Sequence, residues 1–475
     1  MIINDLNDIK NKKHFAIIIG SGPAGISTAL ELEKKKIPSL IIEAGGAKAQ
    51  NNSHDFLKGS VKGDTYNDLT ISRLRQFGGT SGIWGGQCNP MKNEDFEGWP
   101  ITKSELDYDK EKSRKILNLN HKENFFLEKF SNNLDIYNLI WSNVKFSEKY
   151  FEHIKKSKYI YLSLNTVFLN FEGNNKFINL IKCKKNNNYY ELKSKFYVLA
   201  CGGIENSRVL LWSKKMNKNI FDPRMPIGNY YMDHPFYNVG SGLIIYEKMI
   251  EYFKNNTVLN RPVLTCNESL YFSANNRFLK KKNILNSGLY MGFQNVDENN
   301  NLFKQLRCVA PKFIKNMYEN LKIKKTYEVD ISIIQEQKAL KDNRITLSAT
   351  RNNDGIPQAM IYWKKDDLEK VSARIILEDL AKMFVDNNIG RLSINENLYD
   401  KEDYEVTVGN HQLGGTRMGF NIDDSVVDRN LKIHNIGNLY VSGSSTFRTG
   451  GHSHPTYTIV QLAIRLGNHL SKLNV

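Results

Sequence analysis

Two histidine-containing stretches near the C-terminus carry side chains suited to proton transfer. One is HQLGGTRMG, which begins at His411, and the other is GGHSHPTYTIVQLAIRLGNHL, in which His454 directly precedes Pro455. A neutral imidazole can accept a proton near neutral pH. Pro455 suits the first position of a helix with apolar residues every three or four positions. We therefore predict that His454 is the N-cap of the last helix, where the helix dipole disfavours imidazolium.

Two further histidines are expected to play lesser parts. His452 lies two residues before His454 and is predicted to be a bystander or a substrate contact. His234, within YYMDHP, is predicted to be structural.

The elements that would position this chemistry begin near the N-terminus. HFAIII, GSGPAGISTALELEKKK and IPSLIIEAGG follow one another as an apolar strand, a glycine turn with a helix, and a second strand. Gly20, Gly22 and Gly25 form the G-x-G-x-x-G spacing that brings backbone close to a pyrophosphate at a helix N-terminus. Glu43 ends the second strand, where a carboxylate can accept hydrogen bonds from an adenosine ribose. The stretch predicts a dinucleotide-binding unit.

Three more glycine-rich segments are predicted to line the same cofactor. RLRQFGGTSGIWGG has five glycines between Gly78 and Gly86, interleaved with bulky residues that favour an ordered loop over a flexible one. KFYVLACGGIENSRVLLWS and NLYVSGSS each end an apolar strand in glycine. In these segments and at the start of the last helix, we predict cofactor contacts from Gly78, Gly79, Thr80, Ser81, Trp84, Gly85, Gly202, Gly443, Ser444, Pro455 and Thr456.

The composition bounds the class of protein. The chain has 475 residues, 40% of them hydrophobic, and a formal net charge of +16. Lysines are interleaved with acids and no nucleic-acid motif accompanies them, so we expect a solvated surface, with a basic patch for an anionic partner left open. The five cysteines are far apart without C-x-x-C, which favours neither disulfides nor a metal site. We predict a cytoplasmic protein without transmembrane segments, and peripheral membrane association stays open.

The fold class predicted is α/β, with a Rossmann-like domain interleaved with a substrate domain on an antiparallel sheet. The predicted segments are 1–100, 191–235 and 401–475 for the cofactor domain, 101–190 for an excursion with connecting segments, and 236–400 for the substrate domain.

In their order along the chain, GSGPAGISTALELEKKKIPSLIIEAGG, FGGTSGIWGG, LACGGIENSRVLL, HQLGGTRMG and HPTYTIVQLAIRL resemble the glucose-methanol-choline (GMC) oxidoreductases, a family of FAD-dependent enzymes. The chain looks closest to the sugar-oxidising branch with pyranose oxidase and the gluconate and fructose dehydrogenase flavoproteins. The resemblance implies catalytic roles for His411 and His454, with His454 where that branch usually has Asn. Some relatives attach FAD through a histidine at the position of Ile83, so non-covalent FAD is expected.

The resemblance implies an enzyme that oxidises a CH–OH group of a sugar, sugar derivative or polyol by proton abstraction and hydride transfer to flavin N5. His411 is predicted as the principal proton acceptor and His454 as the residue that positions the alcohol. Oxidase and dehydrogenase, and thus the electron acceptor, are left open. Two alternatives also stay open: a non-redox lyase of the same family, and a basic binding protein with a vestigial flavin site.

Overall fold

The computed structural model describes residues 1–10, 14–50, 53–119, 126–256, 269–295, 326–400 and 406–473. Within these ranges, no helix is both long and apolar enough to cross a bilayer. The α-helices within the described ranges are Asn7–Lys10, Pro23–Lys34, Ser53–Leu57, Lys103–Asp107, Lys110–Leu117, Phe146–Lys156, Gly203–Met216, Tyr246–Asn256, Asn276–Lys282, Asp367–Asp386 and Thr456–Lys472.

One sheet has five parallel strands of short, apolar sequence. In spatial order they are Leu439–Val441, Ser194–Leu199, His14–Ile19, Ser39–Ile42 and Ile160–Ser163. Nearly continuous apolar runs are typical of strands covered on both faces. The helix Pro23–Lys34 packs against the final helix, Thr456–Lys472, where Gly467 lies against Glu31. The first and last parts of the chain thus build one unit.

A second, antiparallel sheet forms the other large body. Its strands, in spatial order, are Gly390–Ile394, Pro235–Ile245, Thr326–Gln335, Ser287–Asn295, Ser269–Ala274, Leu134–Tyr137 and Phe126–Lys129, and Thr407–Val408 also pairs with Pro235–Ile245. The helix Asp367–Asp386 contacts this sheet and buries an apolar stripe that includes Ile376, Leu380 and Phe384. The parallel, Rossmann-like sheet and the antiparallel sheet confirm the predicted α/β fold class.

The remaining strands form two three-stranded sheets. Gly59–Gly63 pairs in parallel with Pro357–Trp363, which pairs with Arg344–Arg351. The other sheet is a meander of Thr166–Gly173, Ile178–Lys185 and Asn188–Leu192.

The chain passes between the two sheets more often than the predicted segments imply. The sequence predicts an excursion with connecting segments over 101–190, yet the strand Ile160–Ser163 forms the edge of the parallel sheet, and Leu134–Tyr137 joins the antiparallel one. These strands have only four residues each and no glycine turn after them, so their sequence gave no pairing signal.

Cys183 and Cys201 are free thiols and Cys88 is buried, whereas Cys266 and Cys308 lie outside the described residues.

Candidate active site

A cavity of about 520 Å³ opens where strands of the parallel sheet end. Its lining includes Ile19, Ile42 and Ala200, at or just past the carboxyl ends of three adjacent strands. Open parallel sheets bind nucleotides at this edge. The predicted site residues that line the cavity are Gly20, Gly22, Glu43, Gly79, Thr80, Ser81, Trp84, Gly85, Gly202, His411, Gly443, Ser444, His454, Pro455 and Thr456.

The three glycines of the first turn differ in what surrounds them. A Cβ on Gly20, whose φ is +103°, would lie 2.5 Å from Ala200 O, and one on Gly25 would lie 2.0 Å from Gly20 O. Both glycines are therefore required for close packing of turn, strand and helix, and Gly25 does not line the cavity. A Cβ on Gly22 would meet no atom within 4 Å. Gly22 directly precedes the helix Pro23–Lys34, so it leaves space for a ligand beside free helix N–H groups.

The glycine loop that follows Phe77 is held by the protein around it. Gly78 has a φ of +86°, and a Cβ there would lie 2.5 Å from Ser147 N, so this glycine packs against protein and not against the cavity. Trp84 Nε1 donates to Val144 O at 3.0 Å. Ile83 is 48% exposed and lies outside the lining. The loop is therefore ordered, but the position expected to decide covalent attachment does not face the cavity.

Glu43 and Arg75 place opposite charges in the same lining. Glu43 accepts the Ser21 N–H at 3.0 Å, the Ser21 hydroxyl at 2.7 Å and the Gly45 N–H at 2.8 Å, while burial raises the pKa of its carboxyl group. The Arg75 guanidinium lies over the Phe56 ring, 4.2 Å from its centroid. Arg75 Nε is buried and has no hydrogen-bond partner among the described residues. Sequence reasoning missed Arg75 and Phe56, although Arg75 lies only three residues before Gly78.

Asn206 joins two of the strand ends at the cavity. Its Oδ1 accepts the Cys201 N–H at 2.8 Å, and its Nδ2 donates to Ser445 Oγ at 2.9 Å and Ser442 O at 3.2 Å. One amide therefore fixes the turns that carry Gly202 and Gly443. The sequence did not reveal this role because the partners lie more than two hundred residues apart.

Three imidazoles form a cluster at the cavity. The ring centroids of His411 and His454 lie 4.7 Å apart, and those of His411 and His234 lie 5.0 Å apart. His234 Nδ1 and His411 Nδ1 are 2.9 Å apart, within hydrogen-bond distance. Burial lowers the pKa of His454 to about 3 and that of His234 to about 4. Burial, and then the neighbouring imidazoles, lower the pKa of His411 as well. The rings are therefore neutral near pH 7.

Asp233 fixes the backbone of two of these histidines. Its Oδ1 accepts the His411 N–H at 2.7 Å and the His234 N–H at 2.8 Å. Its Oδ2 accepts the Tyr66 hydroxyl at 2.5 Å, and its own N–H donates to Gln337 Oε1 at 3.0 Å. Asp233 is fully buried, and burial raises the pKa of its carboxyl group to about 7. Sequence reasoning did not single it out.

The start of the final helix differs by one residue from the prediction. The helix begins at Thr456. The Ile459 N–H donates a hydrogen bond to Pro455 O at 2.9 Å. Pro455 is therefore the N-cap and not the first helical residue, and His454 lies just outside the helix. The prediction was wrong because proline's fixed φ suits either position. The helix dipole acts mainly over the first turn, so its effect on His454 is weaker than expected.

His452 does not line the cavity. It is fully buried and shares hydrogen bonds with the Tyr271 hydroxyl and with Ser273 Oγ, the latter at 3.3 Å. Although His452 lies only two residues before His454, its ring therefore contacts the antiparallel sheet.

The cavity fits a flavin dinucleotide. Gly22, Gly85 and Gly202 all line it, and a Cβ on any of them would meet no atom within 4 Å, so the backbone leaves a smooth wall for a flat or extended ligand. The unpartnered Arg75 Nε is a donor suited to an anionic or polar ligand group. The helix N-terminus after Gly22 would suit a phosphate, and the Glu43 carboxylate would suit a ribose hydroxyl.

Comparisons with known proteins agree with this arrangement. Residues 339–463 match the model of the GMC oxidoreductase family, a range that contains both His411 and His454. Residues 339–463 therefore form a domain of the GMC oxidoreductase family. A fructose dehydrogenase large subunit from Gluconobacter japonicus is 24% identical over 283 residues, which cover 58% of this chain and 47% of that protein. A pyranose 2-oxidase from Lyophyllum shimeji is 29% identical over 110 residues, covering 23% of this chain and 17% of that protein.

The chain therefore spans less than half the length of these curated relatives in the matched regions. Among solved structures, pyridoxine 4-oxidase from Mesorbium loti superposes with a TM-score of 0.61 at 13% identity, covering 96% of this chain and 99% of that one. At this identity the likeness shows the fold alone.

Proposed function

We propose that the whole protein is a GMC oxidoreductase, that it binds FAD in the 520 Å³ cavity, and that it oxidises a CH–OH group of a sugar, sugar derivative or polyol to a carbonyl. The observation that carries the proposal is the contact of two neutral imidazoles, His411 and His454, within a cavity lined by a dinucleotide-type glycine turn. When bound, FAD supplies a two-electron acceptor that takes the carbon-bound hydrogen as hydride. The relatives named fructose dehydrogenase and pyranose 2-oxidase point to the same class of donor.

The protein's own residues divide into holding and reacting groups. Gly22 and the N-terminus of the helix after it would receive the pyrophosphate, while Glu43 would accept hydrogen bonds from the ribose. His411 would take the hydroxyl proton of the substrate as the carbon–hydrogen bond breaks. His454 would orient that hydroxyl and stabilise the alkoxide that develops on it. Forming an imidazolium at this buried place is costly, so the alkoxide's negative charge next to it is needed to offset that cost.

Two finer features belong to the proposal as well. The substrate is proposed to be anionic, because the protein has a net charge of +16. The protein is proposed to be cytoplasmic, as the sequence predicts.

An anaerobic screen of sugars, nucleotide-sugars and polyols tests the proposal. The flavin-loaded protein is mixed with each compound, and the flavin absorbance is followed before and after oxygen is admitted. We expect bleaching by at least one sugar or polyol, and its reversal by oxygen would identify an oxidase. A lyase would consume its substrate while the flavin stays oxidised, and that result would overturn the proposed oxidation.

A further inference from the structure

His234 lies behind His411, on the side away from the cavity. It is fully buried and does not line the cavity, whereas His411 does. Its Nδ1 is 2.9 Å from His411 Nδ1, and its Nε2 is 3.3 Å from the carbonyl oxygen of Gly450. Asp233 Oδ1 accepts the backbone N–H of both histidines, so their two backbone segments are held from a common point.

The carbonyl of Gly450 decides where the protons lie. A carbonyl oxygen only accepts hydrogen bonds, so His234 Nε2 must carry the hydrogen. A neutral imidazole has a single N–H, which makes His234 Nδ1 an acceptor. His411 Nδ1 must then donate the hydrogen of the short contact between the two rings. The opposite assignment would turn two lone pairs toward each other at Gly450.

We propose that His234 is a positioning residue that holds His411 in the tautomer with a hydrogen on Nδ1 and a free lone pair on Nε2. The hydrogen bonds run from His411 Nδ1–H to His234 Nδ1, and from His234 Nε2–H to Gly450 O. A proton acceptor needs such a lone pair on the nitrogen that reaches the substrate, and its partner on the other nitrogen sets the tautomer. The catalytic consequence rests on the proposed function, whereas the tautomer itself does not.

Burial supports the neutral state that this assignment requires. The pKa of His234 is lowered to about 4, so the ring carries one hydrogen near pH 7. Asp233 contacts both backbones and not the ring nitrogens, and burial raises the pKa of its carboxyl group. Gly450 has little room beside the ring, since a Cβ there would lie 2.9 Å from His234 Nε2.

Two substitutions separate this role from simple packing. His234→Leu keeps much of the volume but removes the acceptor, whereas in His234→Asn the Oδ1 atom can take the place of Nδ1. His153→Leu is the matched control, because His153 is half exposed and pairs with Glu33 away from the cavity. The readouts are the ¹⁵N NMR signals of labelled histidine rings, with His411 assigned through His411→Gln, and the anaerobic flavin-reduction rate with a reducing alcohol.

We expect the wild type to show His411 with a protonated Nδ1 and an unprotonated Nε2. His234→Leu should mix the tautomers and slow flavin reduction about tenfold or more, with little change in apparent substrate affinity. His234→Asn should restore most of the rate, and His153→Leu should match the wild type.

Three results would overturn the proposal: a wild-type His411 protonated on Nε2, an unchanged tautomer in His234→Leu, or equal slowing in the Leu and Asn variants. If His234→Leu does not fold, the wild-type and Asn spectra still decide the tautomer. If the tautomer is as expected but no alcohol reduces the flavin, the proposed function fails while the positioning role of His234 stands.

Discussion

Asp233 Oδ1 accepts the backbone N–H of His411 at 2.7 Å, across 178 residues of the chain. Burial raises the pKa of Asp233 from 3.8 to about 7, so the folded protein holds a proton there that the unfolded chain releases near pH 4. Between these pH values the native state binds more protons than the unfolded state, and its stability must fall as the pH rises. Asp233→Asn keeps the acceptor oxygen and does not titrate. We expect the variant to lose less stability than the wild type from pH 4 to 7, by about 1 to 4 kcal/mol.

Urea unfolding of flavin-free protein at several pH values measures this difference. Asp342→Asn is the control, because it makes the same substitution at a side chain that is 98% exposed. Equal slopes in the wild type and in Asp233→Asn would show that Asp233 ionises at its ordinary pKa.

Gly22→Val should remove FAD without unfolding the protein. Gly22 has a φ of −71°, which valine can adopt, and its Cβ direction meets only the cavity. The side chain would occupy the space proposed for the pyrophosphate, so flavin content should drop about tenfold or more. Absorbance of the purified protein measures the flavin, and thermal denaturation of flavin-free samples measures the fold.

Gly25→Val provides the contrast to Gly22→Val. Its Cβ would lie 2.0 Å from Gly20 O, so this variant should destabilise the flavin-free fold itself. Full flavin content in Gly22→Val would exclude the proposed cofactor position.

Features built from contiguous residues could be predicted from the sequence. The strand, turn and helix around Gly20, Gly22 and Gly25 are contiguous, so their spacing carries the signal, and the same holds for the loop from Gly78. The contact of His234 with His411 joins residues 177 positions apart and has no local signature. Ile160–Ser163 likewise becomes a sheet edge only because its partner strand is present. Local patterns predicted most of the residues that line the cavity, whereas tertiary contacts determine how the histidines are held.

Acid precipitation should release FAD into the supernatant. Ile83 cannot form a covalent bond to flavin, and burial raises the pKa of the Cys201 thiol that lines the cavity, so little reactive thiolate is present. We therefore expect a colourless pellet and free FAD identified by chromatography. Yellow pellet would instead indicate covalent attachment, and peptide mapping at Cys201, His411 and His454 would locate the bond.

The roles of His411 and His454 can be separated by two unequal substitutions. The position of His411 is fixed, because its ring Nδ1 contacts His234 Nδ1 and its backbone N–H donates to Asp233 Oδ1. Among the described residues, no hydrogen bond holds the His454 side chain. A fixed imidazole suits the proton acceptor, and removing a general base costs about 10²- to 10⁴-fold in rate. His411→Ala should therefore lose most of the flavin-reduction rate while it keeps bound FAD. His454→Asn keeps a polar side chain that can orient the alcohol, so it should lose much less. Single-turnover anaerobic reduction of both variants measures the two losses, and a larger loss in His454→Asn would assign the proton transfer to His454.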